Sequence, residues 1–119
     1  HDLVEISRSA AAIAKNEQFI QRILTEAEWA YCQQKGMPAA SAAVRFAAKE
    51  ACSKALGTGI GPIRWLDMEI RCQASGQPEL VLSGRAQALA QEMGVTHTAV
   101  SLSHTKEYAS AVVILEGER

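Results

Sequence analysis

Aromatic residues, paired cysteines and long apolar segments are scarce in this sequence of 119 residues. Phe, Trp and Tyr make up 5% of the chain although 48% of it is apolar, which favours close packing of alanine-rich helices over an aromatic core. No apolar run approaches the ~20 residues of a membrane span, and no signal peptide is visible. Cys32, Cys52 and Cys72 form no CxxC pair, so neither a disulfide framework nor a zinc site is predicted. They fit a reducing compartment, and we expect a soluble cytoplasmic protein.

The charged residues nearly cancel. Lys and Arg number 12 and Asp and Glu number 13, which gives a formal net charge of −1. No broad basic field is available to hold nucleic acid or a membrane surface, and we expect neither as a partner. A chain of this length predicts a single domain over residues 1–119. Because the sequence begins inside a strand-like segment without methionine, we expect a few residues to precede His1.

Apolar spacing and turn residues predict an alternation of strands and helices. Residues 66–72 alternate between apolar and charged side chains, which is typical of a strand with one buried face. Thr25 and Glu28 match a capping box at a helix start. The predicted order is a strand at 1–6, helices at 10–15, 17–24, 26–35 and 39–56, strands at 66–72 and 79–83, a helix at 84–93, and strands at 98–103 and 108–116. This order indicates an α+β fold, a small antiparallel sheet packed with a long central helix and shorter helices.

The long helix carries two rows of side chains. Apolar or small residues at 44, 47, 48, 51 and 55 fall in one stripe, so another element must approach that face closely. Phe46, Glu50 and Lys54 form an i, i+4 row beside the stripe, with Lys54 nearest its edge. Glu50 and Lys54 therefore point the same way from a partly buried position, just ahead of the glycine-rich turn at 57–61.

Two interpretations of Glu50 and Lys54 are open at this point. As an ordinary i, i+4 surface pair they would stabilise the helix by about 0.2–0.5 kcal/mol and do nothing else. As a site, they would act beside a glycine turn whose backbone N–H groups can approach a phosphate. Asp2 alone would be an ordinary cap or surface residue. Together with Glu50 and Lys54, it supplies the groups that a magnesium-assisted transfer of a phosphate ester requires.

The segment 45–60, RFAAKEACSKALGTGI, closely resembles the signature of bacterial holo-(acyl-carrier-protein) synthases, the short group of 4′-phosphopantetheinyl transferases. DLVEI at 2–6 is similar to the amino-terminal strand motif of this family, and RILTEAE at 22–28 is similar to its second motif. Segments 67–70, 76–78 and 100–104 resemble its central hairpin and closing strand. The resemblance thus covers essentially the whole chain.

The resemblance implies a reaction. Members of the family move the phosphopantetheine arm of coenzyme A onto a serine of apo acyl carrier protein, in fatty acid biosynthesis, and release adenosine 3′,5′-bisphosphate. It implies that Asp2 and Glu50 hold Mg²⁺ and that Lys54 lies against the pyrophosphate. Glu50, or a metal-bound water that it orients, would remove the serine proton. The implied contacts with coenzyme A are Lys54, Gly57, Thr58 and Gly59, with Arg45, Lys49 and His104 as further candidates for its phosphates.

The resemblance also implies partners. Arg8, Lys15 and Arg22 recur every seven residues, a pattern that is usually a solvated face but also suits an acidic partner. In the family, the helix at this place docks the strongly acidic acyl carrier protein. Bacterial members form homotrimers with an active site at each subunit interface, and a trimer would cover apolar surface that a small core leaves exposed.

Two alternatives accompany this interpretation. The chain could be a non-catalytic module that binds coenzyme A or the carrier protein, or a transferase domain cut from a larger fatty acid synthase. Metal dependence separates enzyme from module, because the enzyme needs Mg²⁺ and changes the mass of its carrier protein.

Overall fold

The computed structural model describes residues 2–6, 8, 17–36 and 38–117. It confirms the α+β class, and the helix predicted at 10–15 lies outside the described residues. A 3-10 turn at Trp65–Asp67 precedes the second strand. The elements, in chain order, are β1 (Asp2–Glu5), α1 (Glu17–Ile23), α2 (Glu26–Gln34), α3 (Pro38–Ala55), β2 (Met68–Cys72), β3 (Pro78–Leu82), α4 (Gly84–Glu92), β4 (Val95–His104) and β5 (Tyr108–Gly117).

The strands form two antiparallel sheets where the sequence predicts one. In the larger sheet β5 is central, with β1 on one side and β4 on the other, whereas β2 and β3 pair as a separate hairpin. β1 pairs with β5 in a register that places Asp2 opposite Ala111. This register brings the amino end of the chain beside α3, which packs on both β1 and β5.

The apolar stripe of α3 faces the larger sheet. Val44, Ala47, Ala48 and Ala51 are buried, as the sequence predicts, and their short side chains let the helix approach the strands closely. Ala55, which was expected to complete the stripe, is exposed. It is the last residue of α3, after which the chain turns away.

The ends of the helices follow their local sequence signals. The capping box is confirmed: the Glu28 backbone N–H donates to Thr25 Oγ1 at 3.2 Å, and the Thr25 N–H donates to Glu28 Oε1 at 2.9 Å. Pro38 is the first residue of α3, where its fixed φ angle fits and no intrahelical N–H bond is lost. Within the described residues, no helix combines the length and apolar character needed to cross a bilayer.

The strand predicted at 66–72 begins later, at Met68. Asp67 is buried, and its carboxylate accepts hydrogen bonds from the backbone N–H of Arg64 at 3.4 Å and from its guanidinium at 3.2 Å. The prediction for residues 66 and 67 was wrong because the Asp67 side chain closes a turn instead of facing water from an extended strand.

A second apolar cluster lies where α1, α2 and α3 meet. Phe46 of α3 stacks on Trp65 with ring centroids 5.0 Å apart, and Phe19 of α1 lies 6.5 Å from Phe46. Ile20 and Ile23 of α1 are buried in the same cluster. The cluster fixes α1 beside the row of α3 that continues from Phe46 to Glu50.

Candidate functional site

A cavity of about 390 Å³ opens between β1, α1 and α3. β1 contributes Asp2, and α3 contributes Glu50. Arg8 also lines this space. Most of its remaining wall is apolar and includes Leu3, Val4, Phe19, Ile20, Ile23, Leu24 and Phe46. Glu5 of β1 lines it as well, so three carboxylates sit in a largely apolar cavity, where electrostatic interactions are stronger than in bulk water.

Asp2, Glu50 and Lys54 come together as the sequence predicts. The Lys54 ammonium donates to Asp2 Oδ1 at 2.6 Å, and this hydrogen bond raises the pKa of Lys54. The Lys54 side chain is 61% exposed and that of Asp2 is 11% exposed. Lys54 is therefore on the rim of the site, not partly buried as its helix position predicts, and Asp2 holds its charged group there.

Glu50 forms part of the cavity wall and is only partly exposed. Its burial and the adjacent Asp2 carboxylate raise its pKa, and Lys54 opposes that shift. A carboxyl group with a raised pKa binds a proton more readily than a free one, which suits a general base. Carboxylates outnumber basic groups at the site, because Asp2, Glu5 and Glu50 line the cavity with Arg8, and Lys54 bonds to Asp2.

The turn after α3 is a helix cap. Gly57 has φ +79°, its N–H donates to the Lys54 carbonyl at 3.0 Å, and the Thr58 N–H donates to the Ser53 carbonyl at 3.3 Å, as in a Schellman motif. The Gly59 N–H also donates to Ser53 O at 3.3 Å. These three N–H groups are thus engaged by the helix end rather than free for a phosphate. The turn does offer close approach, because a Cβ at Gly57 or Gly59 would meet no atom within 4 Å.

Arg45 and His104 line a different space, a cleft of about 610 Å³ to which Tyr31 and Lys35 also contribute. Arg45 and Glu50 are five residues apart on α3, so their side chains leave the helix about 140° apart. Among the described residues, none lines both the cavity and the cleft. Within one chain, the predicted coenzyme A contacts therefore divide between two places.

Arg45 is held firmly at the edge of its cleft. The residue is 3% exposed, and its Cζ lies 4.6 Å from the centroid of the Tyr31 ring. The guanidinium donates to the Ser41 carbonyl at 3.0 Å and to Cys72 Sγ at 3.6 Å. Its Nε is a buried donor with no acceptor among the described residues. His104, in contrast, is exposed at the end of β4.

Lys49 does not fit the predicted role of a phosphate ligand. Its side chain has no exposed area. The ammonium donates to Glu28 Oε1 at 2.6 Å, to the Ile23 carbonyl at 2.6 Å and to the Trp65 carbonyl at 3.1 Å. All three of its protons are thus used inside the protein. The resemblance suggested a basic residue near the nucleotide, but Lys49 lines neither the cavity nor the cleft, because its three partners hold the ammonium in the interior.

The basic residues predicted to meet an acidic partner are only partly described. Arg8 and Arg22 are exposed, Arg8 at the cavity and Arg22 in the last turn of α1. Lys15 lies outside the described residues. Of the two arginines that are described, Arg8 lines the cavity, and Arg22 lies on α1 without lining it.

Sequence reasoning missed most of the apolar lining. Phe46 lies one turn before Glu50 in the same row, so its place beside Glu50 follows from helical spacing. Phe19 and Ile20 carry no comparable signal, because their position depends on how α1 packs. Tyr31 and Lys35 of the cleft have none either, since they depend on the angle between α2 and α3.

The donor set of the cavity fits one class of metal. In the part of the chain that the structure describes, no three His, Cys, Asp or Glu side chains cluster as a metal site. The Asp2 carboxylate is close enough to Glu50 to disfavour the charged form of Glu50. Mg²⁺ is commonly held by one or two carboxylates, with waters and substrate phosphates completing its octahedron. The residues present therefore fit a magnesium ion that arrives with a phosphate substrate.

Comparison with known proteins identifies the same family that the sequence resembles. Residues 1–113 match the family model described as the 4′-phosphopantetheinyl transferase superfamily. The chain is 47% identical over 115 residues to a holo-(acyl-carrier-protein) synthase of Moorella thermoacetica, covering 97% of this chain and 90% of the relative. It is 47% identical over 116 residues to that of Alteromonas mediterranea, with 97% and 92% coverage.

A solved structure agrees with these relatives. The holo-(acyl-carrier-protein) synthase of Helicobacter pylori, in complex with coenzyme A, superposes with a TM-score of 0.85 at 32% sequence identity. The match covers 97% of this chain and 96% of the Helicobacter protein. The fold and nearly the full length of the chain are therefore shared with proteins of this one class.

Proposed function

Because this chain belongs to the 4′-phosphopantetheinyl transferase superfamily, we propose that it is the enzyme that transfers 4′-phosphopantetheine from coenzyme A to apo acyl carrier protein. The serine oxygen of the carrier protein bonds to the phosphorus next to pantetheine. The bond from that phosphorus to the bridging oxygen breaks, and adenosine 3′,5′-bisphosphate leaves. The observation that carries this proposal is a cavity lined by Asp2 and Glu50, with Lys54 bonded to Asp2 at its rim, in a chain of this family.

Glu50 and Lys54 have complementary roles in the proposed reaction. Glu50, directly or through a water that it orients, accepts the serine proton, and its raised pKa strengthens it as a base. Lys54 keeps its charge because of the hydrogen bond from its ammonium to Asp2. From the rim of the cavity, the ammonium stabilises the negative charge that develops on the departing phosphate.

Asp2 and Glu50 are the residues that we propose to hold Mg²⁺. Bound there, the cation supplies charge neutralisation at the pyrophosphate. Burial and then the Asp2 carboxylate raise the pKa of Glu50, and a bound cation would offset the repulsion from Asp2. Both side chains therefore have an electrostatic reason to accept the metal with its substrate.

The partner surface proposed for acyl carrier protein is the α1 side of the cavity. Arg8, at the cavity, and Arg22, in the last turn of α1, are both exposed, and their charge complements an acidic protein. Lys15 belongs to the same proposal by its sequence spacing alone. A carrier protein docked on this side would bring its serine towards Glu50.

We further propose a homotrimer with each active site at a subunit interface. The outer face of the larger sheet carries four exposed apolar residues, Leu3, Tyr108, Val112 and Ile114, among polar ones such as Ser101 and Ser103. Arg45 and His104 line a cleft separate from the cavity, so one chain does not gather all the predicted coenzyme A contacts. Packing of chains through the sheet face would cover apolar area and let the cleft of one chain complete the cavity of the next.

The setting proposed for the enzyme is the cytoplasm, as one domain over residues 1–119 acting in fatty acid biosynthesis. Its three cysteines are free, which suits a reducing compartment. Burial raises the pKa of Cys32 and of Cys52 to about 11, so neither thiol is prepared for chemistry at neutral pH.

Intact-mass measurement of the carrier protein tests the function. Apo acyl carrier protein is incubated with this chain, coenzyme A and Mg²⁺, beside a sample with chelator and a sample with Glu50→Gln. A mass gain equal to phosphopantetheine that disappears with chelator supports both the reaction and the metal. Retained coenzyme A with no mass change would instead identify a binding module.

A further inference from the structure

Glu28 and Lys49 form a buried ion pair at the junction of five segments. Neither side chain has exposed area, and the Lys49 ammonium lies 2.6 Å from Glu28 Oε1. Glu28 also accepts the Thr25 N–H at 2.9 Å through Oε1 and the Ile70 N–H at 3.0 Å through Oε2. Every charged atom of the pair therefore has a partner, which is the condition under which a buried pair is tolerated.

The ammonium of Lys49 connects segments that only tertiary contacts hold together. It donates to the carbonyl of Ile23, the last residue of α1, at 2.6 Å and to the carbonyl of Trp65 at 3.1 Å. Hydrogen bonds have fixed directions, whereas the apolar cluster around α1 has none. The ion pair thus sets the place of the carboxyl end of α1 more narrowly than the cluster does.

The same end of α1 forms the wall opposite Glu50. Ile23 lines the cavity with Glu50, and Lys49 immediately precedes Glu50 on α3. A short path therefore runs from the α1 carbonyl, through the Lys49 side chain, to the backbone of Glu50. α1 has only seven residues, too few to hold a helix without tertiary contacts.

We propose that Glu28 and Lys49 are positioning residues, which fix the end of α1 against Glu50 and so set the geometry of the cavity and of the carrier-protein surface at Arg22. The proposal rests on the proposed function for its kinetic part, because Arg22 matters only if a carrier protein docks there. Neither residue touches substrate; both act through α1. A displacement of about 1 Å at a reacting group costs on the order of 10²-fold in rate, so a small shift of this wall is sufficient.

The test replaces both charges together. The double variant E28Q/K49M keeps side chains of similar size, and neutral replacement of a whole buried pair often leaves stability unchanged. Three quantities are measured with the full chain: thermal unfolding, hydrogen exchange of the amides of residues 17–23, and kcat and KM for coenzyme A and for acyl carrier protein. The control is Arg71→Met, which removes the exposed ion pair of Arg71 and Glu69.

We expect the double variant to fold, to exchange the α1 amides at least about tenfold faster than the parent chain, and to lose about 10²-fold in kcat/KM for the carrier protein. The KM for coenzyme A should not change, and the control should match the parent in every readout. Unchanged α1 exchange in a folded double variant overturns the proposal. So does an activity loss that equals the unfolded fraction, because a purely structural role predicts that result.

Two further outcomes are also decisive. If the double variant does not fold, E28Q/K49Q replaces it, because two neutral amides can hydrogen-bond to each other and leave no buried charge without a partner. Since this variant also removes the ammonium that holds the Ile23 carbonyl, α1 exchange equal to the parent in it refutes the proposal. If the parent chain shows no transfer, the proposed function fails. The exchange rates of α1 still decide whether the pair positions that helix.

Discussion

Two lysines five residues apart on α3 lie in contrasting surroundings, one buried and one exposed. Lys49 has no exposed area and gives its protons to one carboxylate and two carbonyls, whereas Lys54 is 61% exposed and bonds only one carboxylate by the contacts described here. Around Lys49, each polar atom of the ion pair has a hydrogen-bond partner. Around Lys54 the charges are unbalanced, because Asp2 and Glu50 share one ammonium.

This difference separates a lysine that stabilises the fold from a lysine that serves the proposed reaction. A closed polar network of the Lys49 kind specifies one arrangement of the surrounding segments. An open cluster of the Lys54 kind retains charge that only a ligand can satisfy, and such local conflicts are expected where a protein has a function. The predictions below test that separation, from the largest effect to the smallest.

Glu50→Gln should abolish most turnover without unfolding the chain. The change removes the proposed base and one metal ligand, so we expect a loss of at least ~10²–10⁴-fold in kcat. The temperature of thermal unfolding should be at least as high as in the parent, because the repulsion between the Glu50 and Asp2 carboxylates is removed. Steady-state kinetics beside Glu116→Gln, an exposed carboxylate of β5, provide the comparison. Near-parental turnover would exclude Glu50 from the reaction.

Lys49→Met should destabilise the fold strongly, and Lys54→Met should not. Removing Lys49 leaves Glu28 charged and buried without its partner, which costs about 3–5 kcal/mol of unfolding free energy. Lys54 is on the surface, so its loss should leave the urea midpoint unchanged while lowering activity. Urea titrations of both variants check this. Equal stability of the two variants would remove the distinction between the two lysines.

Reversal of charge at Arg8 and Arg22 should weaken binding of the carrier protein. With glutamate at both positions, we expect KM for acyl carrier protein to rise about tenfold at low salt, less so at high salt, and KM for coenzyme A to stay constant. The matched control carries glutamate at Arg71 and Arg85, neither of which lines the cavity or the cleft. An equal rise of this KM in the control would show that the effect comes from net charge alone.

The smallest expected effect is a pH dependence of stability. The folded chain raises the pKa of Glu50 above its ordinary 4.5, so the folded state binds this proton more tightly than the unfolded state. The Glu50 contribution to stability therefore falls as pH rises from about 4.5 through the folded pKa, and it is constant above that value.

Glu50→Gln lacks this loss. In the presence of chelator, we compare the unfolding temperatures of Glu50→Gln and the parent chain. The difference in favour of the variant should be constant below pH 4.5, increase as pH rises, and then reach a plateau. Added Mg²⁺ should reduce the advantage, since a cation relieves the same repulsion. A difference that does not vary with pH would show that Asp2 and burial do not act on Glu50.

Local signals in the sequence were sufficient for much of the fold. The hydrogen bonds of the capping box lie within four residues, and the stop at Gly57 depends on its own φ angle, so Thr25, Glu28 and Gly57 are placed correctly. Register and burial depend on distant partners. Nothing in the spacing of Asp67 shows that its carboxylate turns back to Arg64.

The candidate site shows the same limit. The hydrogen bond from Lys54 to Asp2 joins residues 52 positions apart, and it was not predicted. The resemblance to a family implied only that both residues belong to one site. That resemblance also grouped Arg45 and Lys49 with Lys54, because they share one signature segment. Helical geometry then sends Arg45 and Lys49 away from Lys54, about 180° and 140° around the helix. A partner 21 positions away takes Lys49 into the interior.

The opposite directions of Arg45 and Glu50 on α3 have a genetic consequence. If each active site takes Glu50 from one chain and Arg45 from its neighbour, then a Glu50→Gln chain and an Arg45→Met chain, each inactive alone, carry complementary defects. In any mixed trimer, one of the three sites draws both intact residues from different chains. Co-expression of the two defective genes should therefore restore part of the activity that neither gene supports by itself.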